Sequence, residues 1–465
     1  MITKFRLTGR QQAQLERHLF PGDGHEAVAV LACGRSNARD ATTLTAHEIF
    51  LVPHASCRRS EVEVTWAPSC VVPLLERAAR SNWAVIKIHS HPGGYSDFSD
   101  TDDRSDRDFF SSVYGWMDTD SPHGSAIMVP GGRIFARTID VQGRFAPVDL
   151  VSVAGTDLHF WSNYSERQPH LGFVKRHAQL FGSDTVSRLR QLSIAVIGCS
   201  GTGSPLIEML ARLGVGRLVL VDPDHVEDKN LNRIYNATRE DAVMNRHKTA
   251  VMGRAIARMG LGTEVQLLSV DLATPEAVRA VAQCDVVFGC MDGARGRSLL
   301  NRLASYYSLP YFDLGVRLDA DGEGGISEAA GAVHYIQPDS SSLRDRRVYS
   351  SDQLQSEALQ HSDRAEYERQ LRSRYIRGVN EDRPAVISIN TQIAATAVNE
   401  FLARLHPYRY CSNEEFAIVR TSFIQGEHYH EEDRAPVPIS ARLVGLGDCD
   451  PLLGMPQLSE PVVPQ

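Results

Sequence analysis

The chain has 465 residues, room for two or three domains each with its own core, and its net charge is only −8. That mild acidity excludes the broad basic surface of a nucleic-acid binder, and no apolar run reaches the length of a membrane span. Eight scattered cysteines, none in a CxxC pair, argue against a disulfide framework or a thiolate zinc site and for a reducing cytoplasm. The opening MITKFRLTGRQQAQ lacks the apolar core of a signal peptide.

Residues 1–150 read as a first domain. Glu26–Cys33 (EAVAVLAC), Glu48–Val52 and Ala84–Ile88 are predicted strands, with Ala126–Val129 and Arg133–Arg137 as a later hairpin. The strand ending at Ile88 runs into His89-Ser90-His91-Pro92, and on an extended chain His89 and His91 share a face. Pro92-Gly93-Gly94 breaks the strand, after which Ser99 caps a helix with Asp102 in its first turn. Two imidazoles and a carboxylate leave the fourth position of a zinc ion open, as in catalytic rather than structural sites. Zinc brings the pKa of a water there near ~7, ready for a carboxylate base. Each piece also has an ordinary use: HxH as core or surface histidines, SxxD as a capping box. The acidic stretch Asp97–Asp108 serves equally as a solvated face, and it lacks the glycine and terminal glutamate of an EF-hand loop.

Taken together, HSHP and, eight residues after His91, the Ser99 of SxxD resemble the JAMM (JAB/MPN-type) metalloproteases. Some members of that family remove ubiquitin and ubiquitin-like proteins. The resemblance implies zinc held by His89, His91 and Asp102, with Glu26 as general base and Ser99 steadying the tetrahedral intermediate. Glu48, Glu61 and Glu63 also lie upstream, but only Glu26 heads an apolar strand closing in Cys33-Gly34. With no part of the motif missing, a competent peptidase is expected.

Residues 151–173 read as a linker, since Asp157–His170 is polar and aromatic with no clear period. Val174–Leu192 is a predicted helix with a basic entry, Lys175 and Arg176, and a break at Gly182. A second domain then runs to residue 405. Ser193–Ile197 is a buried strand, followed by Gly198, Gly201 and Gly203 and a helix opened by Ser204 and Pro205. Gly214 and Gly216 stop that helix, and Arg217–Val221 is a second strand ending at Asp222. Strand, glycine turn, helix, strand and acid make a nucleotide-binding βαβ unit, with a phosphate at the helix N-terminus and ribose hydroxyls on the carboxylate. The same pattern also fits a glycine-punctuated crossover without ligand. Downstream come Asp224, Asn230, Arg233 and Lys248, then a strand over Asp285–Cys290 leading to Met291-Asp292. The turn is GxxGxGS rather than the GxGxxG of a dehydrogenase. Arg and Lys suit a triphosphate, and a carboxylate at a strand's C-terminal end suits Mg²⁺.

GxxGxGS, LVDPD, NLNR, Lys248 and CMD together resemble the ThiF/MoeB family, over about residues 174–405. That family includes the adenylation domains of ubiquitin-activating enzymes. The fold expected is α/β: a JAMM α/β metalloprotease domain followed by a ThiF-type Rossmann-like adenylation domain. The resemblance implies that Asp222 binds ribose, that Asn230, Arg233 and Lys248 contact phosphates, and that Asp292 holds Mg²⁺. Arg297 falls at the position of a family arginine, and Arg176 matches one that reaches a neighbouring subunit's ATP in a homodimer. The reaction implied is attack of a protein's C-terminal glycine carboxylate on the α-phosphorus of ATP, giving an acyl-adenylate and pyrophosphate. Positioning and charge neutralisation carry such a step without a protein nucleophile. Three departures stand out. Gly293 replaces a frequent Asn, CxxC zinc pairs are missing, and Gly331–Pro338 leads to Ser340, Ser341 and Ser342 with no cysteine before Cys411. The adenylate therefore passes straight to an acceptor, or forms an ester on that serine triplet or a thioester on Cys411.

Residues 406–465 form an extension. HYHEED (428–433) is either a metal cluster or an exposed polar turn, and the proline-containing tail either packs on the adenylation domain or docks elsewhere. The expectation is a cytoplasmic enzyme using Zn²⁺, ATP and Mg²⁺ on a ubiquitin-like protein with a C-terminal glycine. It works with a conjugating enzyme and without nucleic acid or membrane, and the pairing also resembles antiviral defence modules. Competing readings are sulfur transfer through a thiocarboxylate and a non-catalytic scaffold that binds a ubiquitin-like partner.

Overall fold

A computed structural model describes residues 2–38, 41–162, 172–372, 384–433 and 442–459. The chain forms two units, the first from Met1–Glu166, Ser305–Ser308 and Arg442–Met455, the second from Arg167–Ala304, Leu309–Ala441 and Pro456–Gln465.

The first unit runs β1 (Ile2–Thr8), α1 (Gly9–Leu19), β2 (Val28–Asn37), β3 (Ala41–Leu51), β4 (Cys57–Arg59), β5 (Val64–Trp66) and α2 (Val72–Arg80). It continues with β6 (Ala84–Ser90), α3 (Asp100–Trp116), β7 (His123–Met128), β8 (Ile134–Ile139), β9 (Phe145–Pro147), β10 (Leu150–Ala154) and β11 (Leu158–Ser162). Nine strands form one sheet in the order β11-β10-β1-β3-β2-β6-β7-β8-β9, while β4 and β5 make a separate hairpin. Strand side chains alternate between faces, and here both faces are covered. Ala29, Leu31, Cys33, Ile86 and Ile88 pack with Leu15 and Leu19 of α1. Val30, Ala32 and Val85 pack with Leu74, Leu75 and Ala78 of α2 and Phe109, Phe110 and Val113 of α3. By the same alternation Lys87 and His89 turn toward α3.

Two stretches depart from the sequence reading. Leu150–Ala154 and Leu158–Ser162, placed in the linker, are strands: β10 pairs with β1 and buries Val151 and Val153 in the sheet's core. Five-residue strands broken at Gly155 are too short to show a period. Of the tail, Arg442–Met455 belongs to this first unit. β6 pairs with β2 only as far as Cys33, and the tail covers the next part of that edge. The Gly34 N–H donates to the Gly445 carbonyl (3.1 Å), the Asp448 N–H to the Arg35 carbonyl (2.7 Å), and the Asn37 N–H to Asp448 Oδ2 (3.1 Å).

The second unit runs α4 (Lys175–Gln191), β12 (Ser193–Ile197), α5 (Gly203–Leu213), β13 (Arg217–Val221), α6 (Arg239–Val243), α7 (Lys248–Met259), β14 (Glu264–Leu268), α8 (Pro275–Ala282) and β15 (Val286–Gly289). There follow α9 (Ala294–Tyr306), β16 (Tyr311–Ala320), β17 (Ile326–Ile336), α10 (Ser351–Ser362), α11 (Arg364–Arg372), α12 (Ile387–Leu405), β18 (Ile418–Ser422) and β19 (Glu427–Glu431). Its sheet has the order β14-β13-β12-β15-β16-β17-β18-β19, parallel from β14 to β16 and antiparallel beyond. The strand order reverses between β12 and β15, where open α/β sheets take their ligands. The break expected at Gly182 is present, with φ 80° inside α4. Among the described residues no helix is long and apolar enough to cross a membrane.

Beneath His89, a charged cluster ties β6, α3 and β8 together. Asp106, fully buried, lies 2.5 Å from Lys87 Nζ and 2.7 Å from Arg137, which also reaches Asp103 at 2.5 Å. The Arg137 guanidinium sits 3.7 Å from the Phe98 ring centre and 3.6 Å from that of Phe145. Removing one member of a buried ion cluster strands the rest. Asp106→Ala is expected to cost the first unit about 3–5 kcal/mol, seen in calorimetry as an earlier melting transition. Asp103→Ala, whose carboxylate is partly solvated, is expected to shift that transition less.

Candidate functional site

α3 begins where its sequence says it should. Ser99 Oγ accepts the Asp102 N–H (3.2 Å) and the Asp102 carboxylate accepts the Ser99 N–H (2.7 Å), a reciprocal capping box. The same carboxylate faces the end of β6. Its Oδ1 is 2.9 Å from His89 Nε2, its Oδ2 3.6 Å from His91 Nε2, and the two histidine Nε2 atoms are 3.0 Å apart. Among the described residues these three form the one group able to hold a metal ion, with ligand atoms all within 4.8 Å of one another. His91 Nδ1 is 2.8 Å from the Tyr95 carbonyl oxygen, which can only accept. The proton of the neutral ring therefore sits on Nδ1, and Nε2 keeps its lone pair for a cation.

Glu26 lies just ahead of β2, two residues before Val28, which pairs with His89. Its backbone is held by the hairpin: its N–H donates to the Ser60 carbonyl (2.7 Å), and Arg59 Nε donates to its carbonyl (2.7 Å). Its Oε1 is 3.9 Å from His91 Nε2. Burial pushes the Glu26 carboxyl up to about 7, against the opposing pull of His91. Burial acts the same way on Asp102, but hydrogen bonds from His89, His91 and Ser99 outweigh it and hold that carboxyl well below the usual range. Burial lowers His89, whereas at His91 the hydrogen bonds to Asp102 and the Tyr95 carbonyl overcome burial and raise it. One carboxylate is thus ionised and ligand-like, the other poised to exchange a proton near neutrality. A cavity of about 60 Å³ opens beside them, bounded by Glu26, His89, Asp102, Lys87 and the hairpin residues Val62–Trp66. Two imidazoles, one ionised carboxylate and open space fit a zinc ion with a free position.

In the second unit the glycine turn is built by close approach. Gly198 has φ 94°, and a Cβ there would stand 2.7 Å from the Cys290 carbonyl oxygen; a Cβ on Gly203 would collide with the Gly198 carbonyl. Gly201 faces Asn390 of α12 and the Arg233 side chain. Asp222, buried at the end of β13, accepts the Cys199 N–H (2.7 Å) and the Asp224 N–H (2.9 Å), which shapes both loops. Burial raises its pKa, opposed by Lys248. Lys248 Nζ is 2.7 Å from Asp224 Oδ2. Asn230 Oδ1 accepts the Glu227 N–H (3.0 Å), so only its amide hydrogens can meet a phosphate. Arg233 reaches the Lys229 carbonyl (2.9 Å) and Asn232 (3.2 Å). Asp292 is exposed just past β15. Arg297 turns inward, donating to Asp313 Oδ1 (3.1 Å) and to the Leu314 and Asp292 carbonyls (3.3 and 3.5 Å). Arg233 thus lies against Gly201 of the turn, and Asp222, bound to the turn's Cys199 N–H, feels the charge of Lys248. Arg176 is exposed in the first turn of α4.

The serine triplet is committed elsewhere. Ser340 Oγ donates to the Gln337 carbonyl (2.9 Å), Ser341 to Asp433 (2.7 Å), and Ser342 to Asp345 (2.7 Å), while Cys411 is exposed. Residues 428–431 of HYHEED lie in exposed β19, the edge strand of the sheet, with Glu432 and Asp433 just past it, and the stretch belongs to no metal-holding group among the described residues. Sequence reasoning missed Tyr95, Lys87, Asn390 and Asp313. Lys87 carried a signal, a lysine in an otherwise apolar strand; Asn390 carried the same signal in an apolar helix.

Residues 174–430 match the ThiF family model, and residues 10–129 match that of prokaryotic homologs of the JAB domain. Ubiquitin-like modifier-activating enzyme 5 of Drosophila erecta is 26% identical over 163 residues, 32% of this chain and 38% of that protein. Adenylyltransferase and sulfurtransferase MOCS3 of Danio rerio is 32% identical over 122 residues, 26% of each. The chain therefore spans well under half the length of these relatives. Among solved structures, E. coli MccB with succinimide gives a TM-score of 0.44 at 16% identity, covering 58% of this chain and 74% of that one. The chain belongs to the ThiF family, its adenylyltransferase-type domain preceded by a JAB-like domain.

Proposed function

We propose that the chain activates a ubiquitin-like protein by ATP-dependent adenylation of its C-terminal glycine, and that the first unit is a zinc isopeptidase acting at the same terminus. The observation that carries the reading is the meeting of His89, His91 and Asp102 with Glu26 at one open cavity, in a chain whose other half is a ThiF domain. Zinc, held by those three side chains, supplies Lewis acidity to the scissile carbonyl. Glu26 takes a proton from the attacking water on Oε1 and returns it to the leaving amine. Ser99 steadies the oxyanion from the cap of α3.

In the second unit the glycine turn around Gly198, Gly201 and Gly203 would receive phosphate, and Asp222 would take the ribose. Asn230, Arg233 and Lys248 neutralise the phosphates once Lys248 leaves Asp224, and Arg297 braces the loop of Asp292. Asp292 would hold Mg²⁺, which spreads the charge of the departing pyrophosphate. Arg176 would complete a neighbouring site in a homodimer, and the adenylate passes to a conjugating enzyme or directly to an acceptor. The similarity to a protein named as a sulfurtransferase favours a second reading, in which a sulfur donor attacks the adenylate.

Two experiments test this. The purified chain is expected to hold one zinc by elemental analysis, lost in His89→Ala; Glu26→Gln keeps the metal but cuts cleavage of a ubiquitin-like fusion by about 10²–10⁴-fold. ATP–pyrophosphate exchange with a Gly-terminated ubiquitin-like protein is expected to fall on the order of 10²-fold in Lys248→Ala and in Asp292→Ala. Absence of exchange in the parent chain would refute adenylation, and a sulfide-dependent mass gain on the carrier would favour the second reading over lysine-linked conjugates.

A further inference from the structure

The loop carrying Asp292 leads directly into α9, and the helix starts without a side chain of its own to cap it. Gly293 is the residue before Ala294, and its carbonyl already accepts from the Arg297 N–H (3.4 Å). Ser, Thr, Asp or Asn is strongly preferred at that position, because the first helical N–H groups have no intrahelical acceptor. Here the acceptor comes from elsewhere. Glu357, on α10, places Oε1 3.0 Å from the Ala294 nitrogen and Oε2 2.9 Å from the Arg295 nitrogen, one oxygen on each. The negative charge also lies at the positive end of the helix dipole. A Cβ on Gly293 would stand 3.2 Å from Glu357 Oε2, a tight contact that the bare glycine avoids. A second contact fixes the same turn, since Arg295 reaches Asp271 Oδ2 at 3.2 Å.

We infer that Glu357 is a positioning residue for the nucleotide site. It caps α9 from a different helix and so holds the segment from Asp292 to Arg297 in the arrangement that lets Asp292 face Mg²⁺. The inference rests on the adenylation reading for the role of Asp292; the cap itself does not. It makes the geometry of the Asp292 loop conditional on the docking of α10, the helix that follows the serine triplet.

The experiment uses the full chain. Hydrogen exchange read by mass spectrometry is expected to speed up by roughly fivefold over Ala294–Arg297 in Glu357→Ala, an effect the size of a lost cap. Peptides from β12 and β6 should stay unchanged as folding controls. In the same variant the Mg²⁺ concentration that half-saturates ATP binding is expected to rise by roughly fivefold, while ATP binding without Mg²⁺ holds. Gly293 has ordinary backbone angles for a side chain. Gly293→Asn placed in the Glu357→Ala background should therefore restore both readings, because it supplies the cap locally. Glu357→Gln, of the same shape, gives an intermediate effect and serves if the alanine variant folds poorly. Unchanged exchange at Ala294–Arg297, or failure of Gly293→Asn to restore it, overturns the cap. Altered exchange with unchanged Mg²⁺ dependence overturns the positioning role. If the parent chain binds no Mg·ATP, the adenylation reading and the positioning role fail together, and the exchange measurement still decides the cap.

Discussion

The Asp102 carboxylate answers two demands at once. It closes the capping box that starts α3, and it stands 2.9 Å from His89, the next-to-last residue of β6. A helix start and a strand end are therefore fixed to each other by one side chain. Both sides of that joint are rigid: β6 is buried along its whole length, and α3 is pinned below by the Lys87–Asp106–Arg137 cluster. Ligands mounted on such elements hold their geometry better than ligands on loops. The raised Glu26 carboxyl depends on the same frame, because it is the covered end of β2 that keeps water from it.

The second unit solves a different problem with backbone rather than side chains. Its glycine turn folds against Cys290, and Asp222 binds the amides of Cys199 and Asp224, so that two loops at the ends of neighbouring strands share one carboxylate. Charge is managed locally: Lys248 rests on Asp224 and Arg297 on Asp313. A carboxylate partner offsets the desolvation cost of a buried cation that would otherwise stand unpaired. A cavity of about 880 Å³ in this unit, beside Arg346, Arg420 and Asp433, follows the same rule. Two of its arginines are paired, Arg346 with Asp433 at 2.9 Å and Arg420 with Glu431 at 2.7 Å.

Where the sequence could be read, a short-range rule was at work. Ser193–Ile197 and Arg217–Val221 are strands residue for residue, because unbroken apolar runs between glycines have no other use in a parallel sheet. Ser99 caps its helix as its spacing to Asp102 required, and His89 meets His91 and Asp102 because strand alternation and one capped turn leave little freedom. What stayed hidden depends on contacts across long separations. Nothing near Gly293 announces that Glu357 will cap its helix, and nothing near Gly201 announces Asn390. β10 and β11 escaped because each is only five residues long: β10 is held by pairing with β1, almost the whole domain away in sequence, and β11 only by pairing with β10. Nothing in the sequence around Asp313 announces its contact with Arg297.

The strip of tail along Gly34–Asn37 also bears on how the protein is made. A chain leaves the ribosome from its first residue onward, and domains tend to fold as they emerge. Here the outer rim of β2 waits for Arg442–Met455, which is synthesised on the order of half a minute after β11 at usual rates. During that interval the rim presents open main-chain groups of the kind that invite mispairing. A product that stops early, or a gene cut between the two units, lacks the strip as well as the second unit. Maturation of the first unit is in this way tied to translation of the second.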